Sequence, residues 1–265
     1  MNDIFLSVVL ALIQGLTEFL PVSSSAHLLF PSLLFGANDL GLSFDIATHG
    51  GTLLAVLVYF RIELQKMILS INPLNPNKDK ESRQLTFYLV VATLPIVVFG
   101  LLGSDFITNR SFGVNSIAWA NLVFAGILFL AYRYSSQSKT MLQLSILTVL
   151  FIGLFQVFAL IPGASRSGTA ITAALLVGLN LKEASKFAFL LSIPTILGAL
   201  VFLIIDSINS FAAINLLSLF IGFSVSAIFA FFTIKFFLAF IDKIGMYPFV
   251  IYRLLLGFTL LNIII

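Results

Sequence analysis

The chain alternates between long uncharged apolar segments and short charged ones. Five segments run without Asp, Glu, Lys or Arg for close to or more than the roughly 20 residues that a helix needs to cross a bilayer: 84 to 104, 111 to 132, 140 to 165, 187 to 205 and 207 to 234. The segments 46 to 60 and 244 to 265 are also predicted to cross. The pattern therefore predicts an all-α polytopic membrane protein.

Two apolar segments are interrupted by proline and serine. The segment 4 to 17 is followed by Glu18, Pro21 and three serines, and the segment 140 to 161 runs into Pro162-Gly163-Ala164-Ser165-Arg166. Broken helices of this kind are typical of re-entrant hairpins in transport and channel folds. We therefore expect each of the two segments to form a helix hairpin that enters and leaves the membrane on one face.

The two halves of the chain resemble each other. Residues 19 to 24 align with 160 to 165, and residues 44 to 57 align in the same order with 187 to 200. Chance similarity between apolar segments is the alternative, but both halves place the proline-serine break at the same point. We predict one membrane domain, 1 to 265, with two repeats at about 1 to 135 and 144 to 265. Each is a re-entrant helix hairpin followed by three transmembrane helices.

Three crossings in each repeat would give the two repeats inverted topology, and the basic residues support this. On this topology Arg110 lies on one face and eleven Lys and Arg residues lie on the other: Arg61, Lys66, Lys78, Lys80, Arg83, Arg133, Lys139, Lys182, Lys186, Lys235 and Lys243. The crowded face is then cytoplasmic. The first hairpin would enter from outside and the second from the cytoplasm, so that the two breaks meet.

Composition agrees with a lipid environment and narrows the chemistry. The chain is 60% hydrophobic and 9% charged, whereas soluble domains are about 45–50% apolar and about 25% charged. It contains no cysteine, which excludes disulfides, thiol nucleophiles and Cys-ligated metals. No basic patch indicates a nucleic-acid partner.

Four ionisable residues fall within the predicted membrane segments: Glu18, His27, Arg166 and Arg253. Such groups cost at least about 2.5–3.5 kcal/mol each and usually indicate function. The alternatives are that Glu18 pairs with an arginine only to hold the hairpins together, that His27 is a satisfied polar residue, and that Arg253 extends to an interface. His49 either begins a helix or lies at a substrate entrance. Asp45, four residues earlier, would interact with the dipole at the N-terminus of that helix.

The two breaks have the properties of an anion site. New half-helices should begin near Ser23 or Ser24 and near Ser165, with serine as the N-cap and the N-termini facing inward. Unpaired N–H groups at such termini bind phosphate, and Arg166 with Ser165, Ser167 and Thr169 adds donors. A phosphate beside Glu18 and His27 indicates phosphoryl transfer. Any metal would be Mg²⁺ or Ca²⁺ at Glu18, held partly by the phosphates.

Two motifs resemble those of the bacterial undecaprenyl-diphosphate phosphatases, the bacitracin-resistance family. One runs from Gln14 to His27 (QGLTEFLPVSSSAH) and the other from Pro162 to Thr169 (PGASRSGT). The resemblance extends over nearly the whole chain, including the segment Pro248 to Arg253. Gln14, Ser25-Ala26 and Lys186-Phe187-Ala188 depart from the family pattern, and the neutral Gln14 would weaken metal binding by one ligand charge.

The resemblance implies a multi-pass enzyme of the bacterial inner membrane that converts undecaprenyl diphosphate to undecaprenyl phosphate and recycles the peptidoglycan carrier. It also implies bacitracin resistance, Mg²⁺ or Ca²⁺ dependence, an active site open to the periplasmic side and a homodimer. Glu18, His27 and Arg166 would be catalytic, with Glu18 on the metal. The substrate-binding residues would be Gln14, Ser23, Ser24, Ser25, Ser165, Ser167, Thr169 and Arg253.

The residues leave the nucleophile and one rival function open. Water, His27, Ser24 or Ser25 could attack phosphorus. A polyprenyl-phosphate transporter (flippase) would use the same anion site, although it needs no proton-transfer histidine. A phosphatase of the type-2 phosphatidic acid family would need a second histidine after the Ser-Arg element, and no histidine follows His49.

Overall fold

A computed structural model describes residues 3–37, 39–72, 79–103, 112–207 and 215–264, and within these ranges the regular elements are helices. The α-helices in chain order are α1 Asp3–Thr17, α2 Ser24–Leu28, α3 Phe30–Phe35, α4 Leu42–Tyr59, α5 Arg61–Ile71, α6 Lys80–Leu102, α7 Val114–Tyr134, α8 Ile146–Gln156, α9 Arg166–Leu176, α10 Leu181–Ser207, α11 Leu216–Ile244 and α12 Tyr247–Ile264. Two short 3₁₀ helices, Met141–Gln143 and Val157–Leu160, flank α8.

The helices confirm an all-α polytopic membrane protein. Helices α4, α6, α7, α10 and α11 are long and apolar enough to cross a membrane, and α12 is a shorter apolar helix. The predicted boundaries of one crossing are wrong, because α11 continues past Lys235 to Ile244 instead of ending at residue 234. A charge ends a run of apolar residues but does not end a helix, which stops here at Gly245, where φ is +70°. The start of that predicted segment, 208 to 214, lies outside the described residues.

Both predicted breaks are present, and each separates two packed helices. Helix α1 ends at Thr17, before α2 begins at Ser24, and the two helices contact each other. Helix α8 is followed by a 3₁₀ turn and by the break before α9, which packs back against α8. Long helices then follow each pair, α4, α6 and α7 in the first half and α10, α11 and α12 in the second, with the short α5 as an unpredicted addition.

The two halves exchange contacts in a paired pattern. Helix α1 packs on α11, and its counterpart α8 packs on α6; likewise α4 contacts α11, and α10 contacts α6. The last helices of the halves, α7 and α12, pack on each other. Two related halves that pack between each other's helices would produce this pattern. The inverted orientation of one half relative to the other stays a prediction.

Most of the buried apolar side chains form one cluster that links α4 and α6 to α8–α11. Phe19, in the first break, lies within it and packs edge-on against Phe189 of α10, with ring centroids 5.3 Å apart. A smaller cluster lies beneath α2 and joins Ala26 to side chains of α7 and α12. The first break therefore rests on helices from both halves.

Helix α4 lies unusually close to α11. A Cβ on Gly51 would overlap the backbone of Phe223 and the hydroxyl of Ser226. The Ser226 hydroxyl donates to the backbone oxygen of Thr48 at 2.9 Å. Small residues permit this approach, as in other membrane helix pairs, where packing rather than the hydrophobic effect drives association.

Arg253 of α12 contacts backbone oxygens of both breaks. It is fully buried, and its Nη2 donates to the backbone oxygens of Gly163 and Ala164 at 2.9 and 3.0 Å. Its Nε donates to Asn121 Oδ1 at 2.9 Å, and Nη1 lies 3.5 Å from the backbone oxygen of Pro21. Carbonyl oxygens freed by the broken helices thus occupy donors of Arg253, and its contact with the phosphates stays a prediction.

We expect Gly51→Ala to destabilise the protein by about 1–3 kcal/mol, since the new methyl group overpacks a close helix contact. The measurement is the melting temperature of the purified protein in detergent. Gly100→Ala is the matched control, because a Cβ at Gly100 of α6 meets nothing within 4 Å. Equal melting temperatures for the two variants would contradict the close α4–α11 contact.

Candidate active site

The two breaks meet at one cavity of about 250 Å³. The backbone N–H of Gly163 donates to the hydroxyl of Ser25 at 3.1 Å, which joins the second break to the first. The predicted meeting of the breaks is confirmed. The cavity is lined from the first break by Glu18, Ser23, Ser24 and Ser25, from the second by Ala159, Leu160, Ile161, Pro162, Ser165 and Arg166, and from α4 and α10 by His49, Thr195, Ile196 and Ala199.

Glu18 and Arg166 form an ion pair across this cavity. Nη2 of Arg166 lies 2.8 Å from Oε1 of Glu18, and both side chains are mostly buried. The other carboxylate oxygen accepts from Gln14 Nε2 at 2.8 Å and from Ser24 Oγ at 3.0 Å. Glu18 is thus an ionised, fully hydrogen-bonded carboxylate that fixes the guanidinium of the opposite half.

Arg166 keeps most of its donors for the cavity. Among the described residues, Glu18 is the one hydrogen-bond partner of the guanidinium, and the bond uses Nη2. Nε and Nη1 make no hydrogen bond there. Its Cζ lies 5.8 Å from the centroid of the Phe19 ring, so an aromatic face supports it from the side. Arg166 is also the first residue of α9, where backbone N–H groups are unpaired and the helix dipole is positive. Guanidinium and helix terminus together give the cavity wall anion-binding capacity.

The breaks share an uncommon backbone. Ser23 has φ +70° and Ser165 has φ +72°, a region that costs a non-glycine residue about 1–3 kcal/mol and is found mostly at functional sites. In each break the serine hydroxyl lies 3.1–3.2 Å from the hydroxyl two residues later, Ser25 or Ser167. The backbone match pairs Ser23 with Ser165, whereas the sequence alignment paired Ser24 with it.

The N-cap prediction is confirmed for one serine and wrong for the other. Ser165 Oγ accepts from the N–H of Gly168 at 3.1 Å and caps α9. Ser23 holds the N-cap position of α2 but makes no side-chain cap bond, because its hydroxyl pairs with Ser25 instead. With five residues, α2 is also too short for a helix dipole, so the anion-binding terminus belongs to α9.

Three predicted phosphate ligands lie behind the cavity wall. Gln14 does not line the cavity, and its Nε2 donates to Glu18 at 2.8 Å. Ser167 Oγ donates to the backbone oxygen of Leu20 at 2.8 Å, and Thr169 Oγ1 donates to that of Arg166 at 2.9 Å. The Ser167 hydroxyl thus satisfies an oxygen of the first break, whereas the Thr169 hydroxyl bonds within α9. The serines that line the cavity are Ser23, Ser24, Ser25 and Ser165.

His27 follows the first break and is held at both ring nitrogens. Nδ1 lies 2.7 Å from the backbone oxygen of Ser23, and Nε2 lies 2.7 Å from the hydroxyl of Tyr252. The two rings are stacked, with centroids 5.4 Å apart. His27 is therefore next to the cavity through Ser23 and Ser25, but it is not among the residues that line it. Tyr252 was missed from sequence, although it directly precedes Arg253.

His49 lines the cavity. It is on the third turn of α4 and lines the wall with Glu18 and Arg166. Its Nδ1 lies 2.8 Å from the backbone oxygen of Asp45, one turn earlier. The sequence placed His49 at the outer end of its span, and the structure shows that this end borders the breaks.

A larger apolar cavity of about 400 Å³ adjoins the first. The two share Ser25, Leu160 and Pro162. Its apolar walls come from α1, α3, α4 and α7 and from the first break, with side chains that include Leu6, Leu10, Leu28, Leu29, Phe44 and Ile117. The polar cavity thus continues into an apolar one. A ligand with a polar head and an apolar chain needs such an arrangement.

The described residues offer limited ligands for a metal ion. They contain no group of three or more His, Cys, Asp and Glu side chains arranged to hold one. Glu18 is the single carboxylate of the cavity, and Oε1 of the buried Gln14, one turn away, has no hydrogen-bond partner in the part of the chain described. Two oxygen ligands fit a hard cation only if a bound phosphate supplies most of the others.

Comparison with known proteins agrees with this geometry. The family model of the bacitracin resistance protein BacA matches residues 7–259. The chain is 46% identical over 259 residues to the undecaprenyl-diphosphatase of Teredinibacter turnerae, covering 97% of this chain and 98% of that protein. It is 45% identical over 263 residues to the undecaprenyl-diphosphatase of Alcanivorax borkumensis, covering 98% of each. The chain belongs to the BacA bacitracin resistance family.

Proposed function

We propose that this chain hydrolyses undecaprenyl diphosphate to undecaprenyl phosphate and inorganic phosphate. The observation that carries the proposal is the Arg166 guanidinium, which Glu18 holds at the wall of a cavity formed by both breaks. The relatives above bear the name of this activity. Their name does not favour the rival transporter function.

The diphosphate would bind with its terminal phosphate at Arg166 and at the N-terminus of α9. Free N–H groups of the guanidinium and of the helix end would balance the negative charge on the phosphoryl oxygens in the transition state. Ser23, Ser24, Ser25 and Ser165 line the same wall and would donate to phosphate oxygens. Glu18 then acts mainly as the group that positions Arg166.

In the reaction a nucleophile forms a new bond to the terminal phosphorus, and the bond from phosphorus to the bridging oxygen breaks. The bridging oxygen leaves on undecaprenyl phosphate. The nucleophile is water, or the side chain of Ser24, Ser25 or His27 followed by hydrolysis of the intermediate. His27 Nε2 would act after Tyr252 releases it, because the Tyr252 hydroxyl occupies that nitrogen in the structure.

We further propose that Mg²⁺ or Ca²⁺ is held by Glu18 and Gln14 together with the diphosphate. When bound, such an ion neutralises charge on the transferring phosphate. The unpartnered oxygen of Gln14 supports this assignment. Since Gln14 is neutral, the protein contributes one negative charge to the ion, and binding should depend on the substrate.

The prenyl chain would lie in the apolar cavity that adjoins the polar one. By the distribution of basic residues, this side of the protein faces away from the cytoplasm. The proposal is thus a bacterial inner-membrane enzyme that opens to the periplasmic side and returns the lipid carrier to peptidoglycan synthesis, with bacitracin resistance as a consequence. The homodimer is a proposal that rests on the resemblance alone.

The test is phosphate release from undecaprenyl diphosphate by purified protein in detergent, with Mg²⁺ and with a chelator. We expect release that requires the metal and falls at least about a hundredfold in Arg166→Gln, since a charged donor to the reacting phosphate is lost. Glu18→Gln should also lower kcat, because the guanidinium is no longer held by a charge. Arg133→Gln, at the end of α7, is the control. Absence of release by folded wild-type protein would refute the proposal.

We expect Leu10→Trp to raise KM for undecaprenyl diphosphate several-fold, because the indole fills the apolar cavity that Leu10 lines. Leu16→Trp on the same helix is the matched control, since Leu16 is 45% exposed and lines neither cavity. Steady-state kinetics and melting temperatures of both variants are the measurements. An unchanged KM in Leu10→Trp would place the prenyl chain elsewhere.

A further inference from the structure

The two histidines of the chain have the same bond at Nδ1. In each, Nδ1 lies within 2.8 Å of the backbone oxygen four residues earlier, Ser23 for His27 and Asp45 for His49. A carbonyl oxygen only accepts, so Nδ1 carries the proton in both rings. In the neutral ring Nε2 then bears the lone pair, and the surroundings of Nε2 decide what each histidine does.

The surroundings of Nε2 differ between the two rings. Nε2 of His27 accepts from the Tyr252 hydroxyl, on the side of α12. His49 lines the polar cavity, and the described residues provide no hydrogen-bond partner for its Nε2. His49 and Glu18 line the same cavity, and no ion pair joins them in the part of the chain that the structure describes. Of the two imidazoles, His49 therefore has the unoccupied nitrogen at the site.

The charges of the cavity leave a deficit that His49 can fill. Glu18 and Arg166 cancel each other, so the cavity is neutral while His49 is neutral. Before any cation joins it, a diphosphate brings at least two negative charges, and an anion next to an imidazole favours the protonated ring. Glu18 and Arg166 are the charged groups across the cavity, and Asp45 is on α4 itself. The packed faces of α10 and α11 contribute Thr195 and Ser226 here, which do not titrate.

We propose that His49 is a phosphate-binding residue of this site. When the diphosphate enters, His49 takes up a proton at Nε2 and donates that N–H to a phosphate oxygen, while Nδ1–H remains on the backbone oxygen of Asp45. The identity of the ligand as undecaprenyl diphosphate rests on the proposed phosphatase function. The binding of a phosphate anion by His49 does not depend on that function.

Two substitutions separate hydrogen-bond donation from proton transfer. His49→Gln places an amide N–H near the position of Nε2, whereas His49→Leu has similar bulk and no donor. We expect His49→Leu to raise KM for undecaprenyl diphosphate about tenfold to a hundredfold with a smaller effect on kcat, as for loss of a charged hydrogen bond. His49→Gln should restore most of that loss. Melting temperatures of both variants establish that they fold.

Two outcomes of these kinetic measurements would contradict the proposal. If His49→Gln loses as much kcat as His49→Leu, the imidazole transfers a proton in the reaction and the proposal is wrong. If His49→Leu keeps the wild-type KM, His49 does not contact the phosphate and the proposal is equally wrong.

A binding measurement distinguishes this proposal from the phosphatase itself. Inorganic diphosphate is titrated calorimetrically into the wild-type protein and into His49→Gln, in buffers of different ionisation enthalpy. We expect proton uptake by the wild-type protein and none by His49→Gln, whether or not either hydrolyses the lipid. Equal uptake by both proteins would refute the role of His49 and leave the proposed hydrolysis intact.

Discussion

A helix can be broken inside a membrane only if the backbone groups that the break frees find partners within the protein. Both breaks of this chain meet that constraint with side chains from elsewhere in the sequence. Arg253 takes the carbonyl oxygens of Gly163 and Ala164, and Ser25 accepts from the N–H of Gly163. Ser167 in turn donates to Leu20 of the first break. The breaks are therefore stable because they satisfy each other.

This mutual satisfaction explains why the candidate active site belongs to neither half alone. The first half supplies Glu18, the second supplies Arg166, and the two side chains meet because the breaks meet. The interleaved packing of α1 on α11 and of α8 on α6 holds each hairpin against the other half. A site on such packed breaks is fixed before substrate arrives, which is the condition for electrostatic catalysis.

The sequence predicted what depends on local pattern and charge. The crossings follow from apolar length, the breaks from Pro21 and Pro162, and the cap of α9 from Ser165. Even the pairing of Glu18 with an arginine was foreseen as a structural alternative. The partners of Arg253 and Ser167 could not be foreseen, because they are distant backbone oxygens, which every residue carries alike. The placement of His49 required knowing that the start of α4 borders the breaks.

The membrane also limits how the site can attract an anion. An unpaired charge at this depth costs at least about 2.5–3.5 kcal/mol, so the resting cavity pairs its one arginine with its one carboxylate. Attraction for a phosphate must then come from groups that add no net charge at rest, namely the paired guanidinium of Arg166, the N-terminus of α9, the serine hydroxyls and, once the anion protonates it, the imidazole of His49. Such a site tolerates lipid surroundings when empty and gains positive charge only when the anion itself favours it.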